Sequence, residues 1–442
     1  MTSDLLAPLD LAFWNMETAE HPMHLGALGV FTAHSPTAGA HAADLLAARA
    51  AAVPGLRMRI RDAWPLGFPL AFGGAARVPD PDFDPLRHVL LHAPTADFQT
   101  EAGRLMQRPL DRDRPPWEAH VLPGEDGVSF AVLFKFHHAL ADGLRALTLA
   151  AAVLDPMDLP ERRPRPEEPA KSLLPDVRKL PDLVRGAVSD LGRALDIGAC
   201  VALSSVAVRS SQALTAEPSG TRRTAGVVVD LDDVHRVRKS RGGTVNDVLI
   251  AVVAGALRRW LDERGDGSAG VAPRALIPVS KRRPRTAHPQ GNRLSGYLMR
   301  LPVSDPDPLS RLDTVRSAMD RNKDAGSNRG AGAVALLADH VPALGHRIGG
   351  PLVSQGARLW FDILVTSVPL PSIGLKLGGN PVTEVYPFAP LARGQSLAVA
   401  ISTYRGQVHY GLVADAEAVP DLDLLARSLS EEVAGLLSAC GS

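Results

Sequence analysis

The sequence of 442 residues contains little cysteine and no excess of either charge. Its two cysteines, Cys200 and Cys440, lie far apart and match no metal-binding or redox spacing, so we expect no disulfide scaffold. This fits a reducing compartment. Lysine plus arginine and aspartate plus glutamate number 48 each, so no overall field favours nucleic acid or acidic membranes. The composition therefore argues against a dedicated nucleic-acid-binding protein.

The sequence also lacks a long apolar run and a segment typical of a secretory signal peptide. The most apolar window, 197–208, falls short of the roughly 18 residues that a membrane-spanning helix needs. Residues 1–18 lack a basic region followed by an apolar run and a small-residue cleavage site. We therefore expect a cytoplasmic protein, either soluble or attached peripherally to a membrane. Window 197–208 either packs on a lobe as a linker helix or lies on a lipid surface.

The chain is long enough for one large domain or two ordinary domains, and 45% of its residues are hydrophobic. Its clearest change of composition follows Leu154, where the segment DPMDLPERRPRPEEPAK is rich in proline and charge and cannot build a core. Helical apolar spacing after this segment indicates a partly helical connection. We predict an N-terminal lobe at 1–154, a crossover linker at 155–222 and a C-terminal lobe at 223–442.

The stretch FKFHHALADGLRAL, residues 134–147, is the most informative part of the first lobe. Residues 127–136 are rich in β-branched and aromatic side chains and predict a buried strand. Leucine and alanine then recur at helical spacing, and Asp142 stands where an N-cap is expected. The two histidines, His137 and His138, thus lie at a strand-to-helix junction.

An imidazole at such a junction suits general-base chemistry, because its ordinary pKa of about 6.5 leaves much of it neutral at cellular pH. Side chains alternate along a strand, so His137 and His138 point to opposite faces while extended, and one catalytic imidazole is expected. The alternative is an ordinary histidine at a strand end, with Asp142 serving only as a cap. A metal site is not expected, since the sequence has no HExxH or CxxC spacing.

Several segments of the chain resemble one family. HHALADG, residues 137–143, matches the HHxxxDG signature of the coenzyme A-dependent acyltransferase superfamily. The segments at 7–31, 109–122 and 244–261, and the region from Tyr386, are similar to the bacterial wax ester synthase/diacylglycerol acyltransferase family. They begin APLDLAFWNMET, PLDRDRPPW, TVNDVL and YPFAPL. The resemblance implies a chloramphenicol-acetyltransferase-like α/β fold, in which two lobes with mixed sheets enclose a tunnel at their interface.

The resemblance also implies roles for the residues of the signature. His138 would be the base that deprotonates an acceptor hydroxyl for attack on an acyl-CoA thioester. Asp142 would orient the loop, Gly143 would permit a close turn, and His137 would be a structural neighbour. The sequence has no GxSxG elbow to supply a covalent nucleophile, so we expect direct transfer in a ternary complex.

The Asn-Asp motif of the family falls on Asn246 and Asp247, where Thr244 and Asp247 resemble a capping box. Amides at a helix start can meet negative charge, so Asn246 is a candidate for positioning the substrate or stabilising the oxyanion. Alternatively, Asn246 and Asp247 only cap the helix, and Asp247 is assigned to structure. A basic run either contacts the CoA phosphates or forms a solvated surface, and its members are Lys281, Arg282, Arg283 and Arg285.

The chain departs from the family pattern near two of these segments. Ser367 and Leu370 stand where relatives usually carry asparagine and glycine, and Pro116 replaces the usual leucine before Trp117. The first two changes would reshape a wall of the tunnel, which bears on acceptor preference. Trp117 itself is expected in the core, as is usual for a large aromatic side chain.

Taken with the resemblance, these residues predict an O-acyltransferase that moves a long acyl chain from coenzyme A to diacylglycerol or a fatty alcohol. No cofactor or metal is expected. Acyl-CoA and the acceptor are the expected partners, with a membrane or lipid-droplet surface as a further one. Two alternatives stay open: an acyltransferase or condensation enzyme that takes a carrier-protein thioester as donor, and a non-catalytic lipid-binding protein on the same fold.

Overall fold

The computed structural model describes residues 4–63, 74–156, 210–280, 294–324, 361–370 and 374–441. These residues form an α/β fold with two six-stranded sheets and one three-stranded sheet. Most of the predicted linker, residues 157–209, lies outside the described residues, and so does the apolar window within it. No helix of the described part is long and apolar enough to cross a membrane.

The first sheet takes its strands from both ends of the chain. In spatial order they are β12 (Lys376–Leu377), β13 (Asn380–Phe388), β2 (His24–Thr32), β7 (Ser129–His137), β6 (Trp117–Pro123) and β5 (Val89–Leu91). Neighbouring strands are antiparallel apart from β5 and β6, which are parallel. β7 lies inside the sheet and is buried from Phe130 onward, which confirms the strand predicted at 127–136.

The second sheet has parallel strands at its centre. In spatial order its strands are β10 (Leu294–Arg300), β9 (Arg274–Ser280), β11 (Ile363–Pro369), β14 (Leu397–Tyr404), β15 (Gln407–Asp415) and β8 (Arg222–Asp230). β11 is parallel to both β9 and β14, and the remaining pairs are antiparallel. The sheet is therefore mixed, as predicted for this fold class.

Helices cover the outer faces of both large sheets. Those beside the first sheet are α2 (Ala38–Ala50) and α4 (Gly143–Ala151), and those beside the second are α5 (Leu231–Arg241), α6 (Val245–Glu263), α7 (Pro308–Asp324) and α8 (Leu422–Gly441). The remaining helix, α3 (Phe98–Met106), lies between the two sheets and packs against β8. α6 is buried at every residue from Asp247 to Leu257. A helix that is apolar on all sides needs neighbours on all sides, and α6 shares one core with the second sheet, α7 and α8.

The small third sheet lies against the end of β7. Its strands are β1 (Asp4–Leu5), β4 (Gly74–Pro79) and β3 (Met58–Ala63), and α1 (Pro8–Met16) follows β1. A separate apolar cluster joins this unit to the residue after the two histidines, and its members are Leu6, Leu11, Trp14, Ile60, Ala75 and Ala139. The N-terminal segment is thereby placed beside the predicted site.

The two large sheets meet in a shared apolar core. It combines Leu28 and Leu133 of the first sheet with Ala400 and Val413 of the second. The approach is close at Gly411, because a Cβ atom there would lie 1.9 Å from the Pro387 carbonyl oxygen. β12 and β13 come from the predicted C-terminal lobe, yet β13 pairs with the N-terminal strand β2 and β12 extends the same sheet beside β13. The lobe boundaries at 154 and 222 stay a prediction.

Candidate active site

The HHALADG segment forms the predicted strand-to-helix junction. His137 is the last residue of β7, and α4 begins at Gly143. Asp142 has an extended backbone, and its Oδ1 accepts a 2.8 Å hydrogen bond from the Arg145 N–H. This satisfies one of the amides that a helix leaves unpaired at its start. The prediction that Asp142 caps this helix is confirmed.

The ring of His138 is held in one orientation by three kinds of contact. Its backbone N–H donates to the Met23 carbonyl at 2.8 Å, and its ring stacks on Phe13 with centroids 4.0 Å apart. The ring also bonds the carbonyl of its own residue. Only Nδ1 can reach that carbonyl, so this bond favours the neutral tautomer with its proton on Nδ1 and its lone pair on Nε2.

The surroundings of His138 favour a neutral imidazole. Burial lowers the pKa of His138 to about 4, although the charge of Asp142 acts in the opposite direction. The residue still keeps part of its surface accessible. Near neutral pH, His138 is therefore an uncharged proton acceptor at the edge of the protein interior.

His137 has a different environment and is fully buried. Its Nδ1 accepts a hydrogen bond from the Ala139 N–H at 3.0 Å, which leaves its proton on Nε2. That Nε2 lies 3.4 Å from Glu17 Oε2, and the ring meets the Trp14 ring edge-on at 4.9 Å. Of the two histidines, only His138 retains exposed surface.

The N-terminal segment supplies polar contacts that the sequence analysis did not identify. Glu17 Oε1 accepts from the Met23 N–H at 3.0 Å. Arg77 Nη2 donates to Asp10 Oδ2 at 2.6 Å and to the Ala139 carbonyl at 2.7 Å, and both side chains of this ion pair are buried. The signal available in the sequence was Asp10, the one charged residue of the largely apolar helix α1.

The second sheet approaches the signature at Gly143. A Cβ atom at Gly143 would lie 3.6 Å from Val368 Cγ2 on β11. Gly143 does not have the left-handed backbone that favours glycine, and its role in a close turn stays a prediction. On β11, Ser367 pairs with Ile401 and Val368 with Ser402. Ser367 and Val368 thus face opposite sides of the sheet, and only Val368 faces the signature.

The proline-tryptophan segment supports the same junction from the neighbouring strand. The carbonyl of Pro116 accepts the His137 N–H at 2.9 Å, and proline preserves this acceptor because it lacks only the amide hydrogen. Trp117 is buried, and its Nε1–H donates to the Leu56 carbonyl at 2.7 Å. The prediction that Trp117 belongs to the core is confirmed.

The start of α6 contains the predicted capping box. Thr244 Oγ1 accepts from the Asp247 N–H at 3.2 Å, and Asp247 Oδ2 accepts from the Thr244 N–H at 2.7 Å. The assignment of Asp247 to structure is confirmed. Asn246 takes no part in this cap. It is half-buried, and within the described ranges its side chain has no hydrogen-bond partner.

The structure therefore brings together His137, His138, Asp142 and Gly143, but no described contact joins Asn246 to them. The candidate phosphate contacts, Lys281, Arg282, Arg283 and Arg285, lie outside the described residues. In the part of the chain that is described, no group of three or more histidine, cysteine, aspartate or glutamate side chains could hold a metal ion.

Comparison with known proteins identifies the family. Residues 6–249 match the wax ester synthase/diacylglycerol acyltransferase catalytic domain, and residues 290–436 match the C-terminal domain of the same family. The probable diacylglycerol O-acyltransferase tgs2 of Mycobacterium tuberculosis is 32% identical over 470 residues, which cover 99% of this chain and 100% of that protein.

Two solved structures are similar in fold. The wax ester synthase/diacylglycerol acyltransferase from Marinobacter aquaeolei VT8 has a TM-score of 0.71 at 23% identity, with 99% of this chain and 100% of that chain covered. The starter condensation domain of rhizomide synthetase RzmA, in complex with C8-CoA and Leu-SNAC, has a TM-score of 0.56 at 13% identity, covering 100% and 95%. From both family models and the full-length relative, it follows that the chain is an acyltransferase and belongs to the wax ester synthase/diacylglycerol acyltransferase family.

Proposed function

We propose that this acyltransferase moves a long-chain acyl group from acyl-CoA to the hydroxyl of diacylglycerol or a long-chain alcohol, with His138 as the general base. The products are triacylglycerol or a wax ester. The observation that carries the proposal is the state of His138, a neutral imidazole whose lone pair is on Nε2, at the place where the second sheet approaches the signature.

The reaction follows from that state of the ring. Nε2 of His138 accepts the proton of the acceptor hydroxyl while the hydroxyl oxygen attacks the thioester carbonyl. The tetrahedral intermediate then expels coenzyme A as a thiolate, which takes the proton back from the imidazolium. A positioned base of this kind contributes about 10²- to 10⁴-fold to the rate. The charge of Asp142 favours the imidazolium that forms during the step.

Direct transfer fits the composition of the junction. Asp142 is engaged as a helix cap, and the stretch from His137 to Gly143 contains no serine or cysteine. Cys440 lies near the end of α8, where it packs against the core of the second sheet. An acyl-enzyme intermediate is therefore not part of the proposed route, and both substrates bind before products leave.

Asn246 is the proposed donor to the oxyanion. The cap of α6 is complete without it, so its amide is available for a ligand. An oxyanion donor is worth about 10²- to 10³-fold in kcat in other enzymes. We assign the CoA phosphates to the basic run at 281–285 because they carry negative charge. We place the protein at a membrane or lipid-droplet surface during turnover because both acceptors are insoluble lipids.

An acceptor screen tests this function. Purified protein is incubated with radiolabelled long-chain acyl-CoA and either diacylglycerol or a long-chain alcohol, and the lipid products are separated by chromatography. We expect labelled triacylglycerol or wax ester with the wild type and almost none with His138→Ala. The same acyl chain on an acyl-carrier protein is the control donor. Transfer only from the carrier protein, or no transfer at all, would contradict the proposal.

A further inference from the structure

Glu17 contacts two of the groups that hold the backbone around His138. Its carboxylate is almost completely buried, with 5% of the side chain exposed. Oε1 accepts the Met23 N–H at 3.0 Å, and Oε2 lies 3.4 Å from His137 Nε2. Burial alone would raise the pKa of Glu17, but its contacts with His137 and Met23 hold that pKa below its ordinary value. The carboxylate is therefore charged in the folded protein.

The two contacts of Glu17 lead to the two peptide groups beside the His138 Cα atom. Met23, whose N–H binds Glu17, accepts the His138 N–H on its carbonyl at 2.8 Å. His137, whose Nε2 faces Glu17, accepts the Ala139 N–H on Nδ1 at 3.0 Å. One buried carboxylate thus orients both the acceptor on the amino side of His138 and the acceptor on its carboxyl side.

The ring of His138 follows its backbone closely. Because the ring bonds the carbonyl of its own residue, a rotation of that peptide group turns the imidazole as well. Stacking on Phe13, with ring centroids 4.0 Å apart, restrains the plane of the ring. The position of the proposed proton acceptor therefore depends on the two amide contacts described above.

We infer that Glu17 is a positioning residue for the acyl transfer, which orients His138 through Met23 and His137 without touching the substrate. This inference rests on the proposed role of His138. A displacement of about 1 Å in a reacting group can cost on the order of 10²-fold in rate. Removing the carboxylate should consequently lower kcat and leave the binding of acyl-CoA largely unchanged.

A second carboxylate with similar contacts lies on β6, the strand beside β7 in the first sheet. Glu118 Oε2, on β6, lies 3.0 Å from His120 Nε2 and accepts from Lys135 Nζ at 3.1 Å. Glu118 and His120 form a carboxylate–histidine pair like Glu17 and His137, but within the described residues no side-chain hydrogen bond joins either of them to the HHALADG loop. A Glu118 variant therefore measures the effect of losing a largely buried carboxylate that does not orient His138.

The test compares Glu17→Ala, Glu17→Gln and Glu118→Gln by kcat, KM for acyl-CoA and melting temperature. We expect Glu17→Ala to lower kcat by about 10- to 100-fold with KM close to wild type. The kcat of Glu17→Gln should fall between those of wild type and Glu17→Ala, because the amide oxygen can still accept the Met23 N–H while the negative charge beside His137 Nε2 is lost. If Glu17→Ala does not fold, the kcat of Glu17→Gln tests the inference instead. Glu118→Gln should lower the melting temperature and keep kcat.

Two results would overturn the inference. One is wild-type kcat in both Glu17 variants, and the other is an equal loss of kcat in Glu118→Gln. His138→Ala, measured in parallel, separates this inference from the proposed function. If His138→Ala is inactive while the Glu17 variants are normal, only the role of Glu17 is wrong. If His138→Ala stays active, the role of the base and the role of Glu17 are both wrong.

Discussion

The starts of α4 and α6 carry the two polar motifs of the chain, and they differ in what their side chains bind. At α4, Asp142 makes the cap itself, and the neighbouring histidines bind backbone groups of their own loop. At α6, Thr244 and Asp247 complete the cap, and Asn246 has no hydrogen-bond partner within the described ranges. The side chains of the first motif are therefore bound to neighbouring backbone groups, whereas the cap of the second motif is complete without Asn246.

The largest expected effect is at the first motif. His138→Ala should lower turnover by about 10²- to 10⁴-fold, because it removes the only imidazole of the pair that retains exposed surface. Initial rates of the purified variant measure the loss, and circular dichroism checks that it is folded. His137→Ala is the comparison and should be milder in rate. Near-wild-type transfer by folded His138→Ala protein would refute the assignment.

The next effect concerns the free amide of the second motif. Asn246→Ala should lower kcat by about 10²- to 10³-fold with little change in KM for acyl-CoA, because an oxyanion donor acts only in the transition state. Its melting temperature should not change, since Thr244 and Asp247 make the cap without it. Unchanged kcat together with a lower melting temperature would return Asn246 to a purely structural role.

The smallest effect should come from the cap of α6. Thr244→Ala removes the oxygen that accepts the Asp247 N–H, which costs about 0.5 to 2 kcal/mol of unfolding free energy. Thr244→Ser keeps the hydroxyl and serves as the control. Thermal melting should show the loss in the alanine variant only, and kcat at low temperature should match wild type in both. If fully folded Thr244→Ala protein has a lower kcat, the cap of α6 also positions the Asn246 amide.

Local sequence patterns predicted the features of the two helix starts that depend on neighbouring residues. The strand ending at His137, the Asp142 cap and the capping box of α6 each depend on neighbours within a few residues. Such features follow from side-chain periodicity and from the amides that a helix start leaves unpaired. The family resemblance, supported by five separate segments, supplied the fold class and the role of His138.

The features that the sequence did not predict depend on contacts between residues that are distant in sequence. The pairing of β13 with β2 joins residues 382–388 to residues 26–31, and a strand pattern does not name its partner. The ion pair of Asp10 with Arg77 and the approach of Glu17 to His137 also join distant residues, so no local pattern indicates them. Gly143 was assigned to a close turn from its residue type alone, and its backbone does not have the left-handed conformation that favours glycine.

The central claim is that His138 works as a buried, neutral base, and the pH dependence of kcat/KM in the wild type tests it most directly. Burial lowers the pKa of His138 to about 4, so the ring should keep its lone pair as the pH falls below 6.5. Folding stability should decline over the same interval, because the unfolded chain binds a proton that the native ring rejects. Circular dichroism at each pH therefore accompanies the assay. We predict that kcat/KM of folded protein stays constant through pH 6.5 and falls only toward about pH 4, whereas a half-maximal value near pH 6.5 would contradict the account.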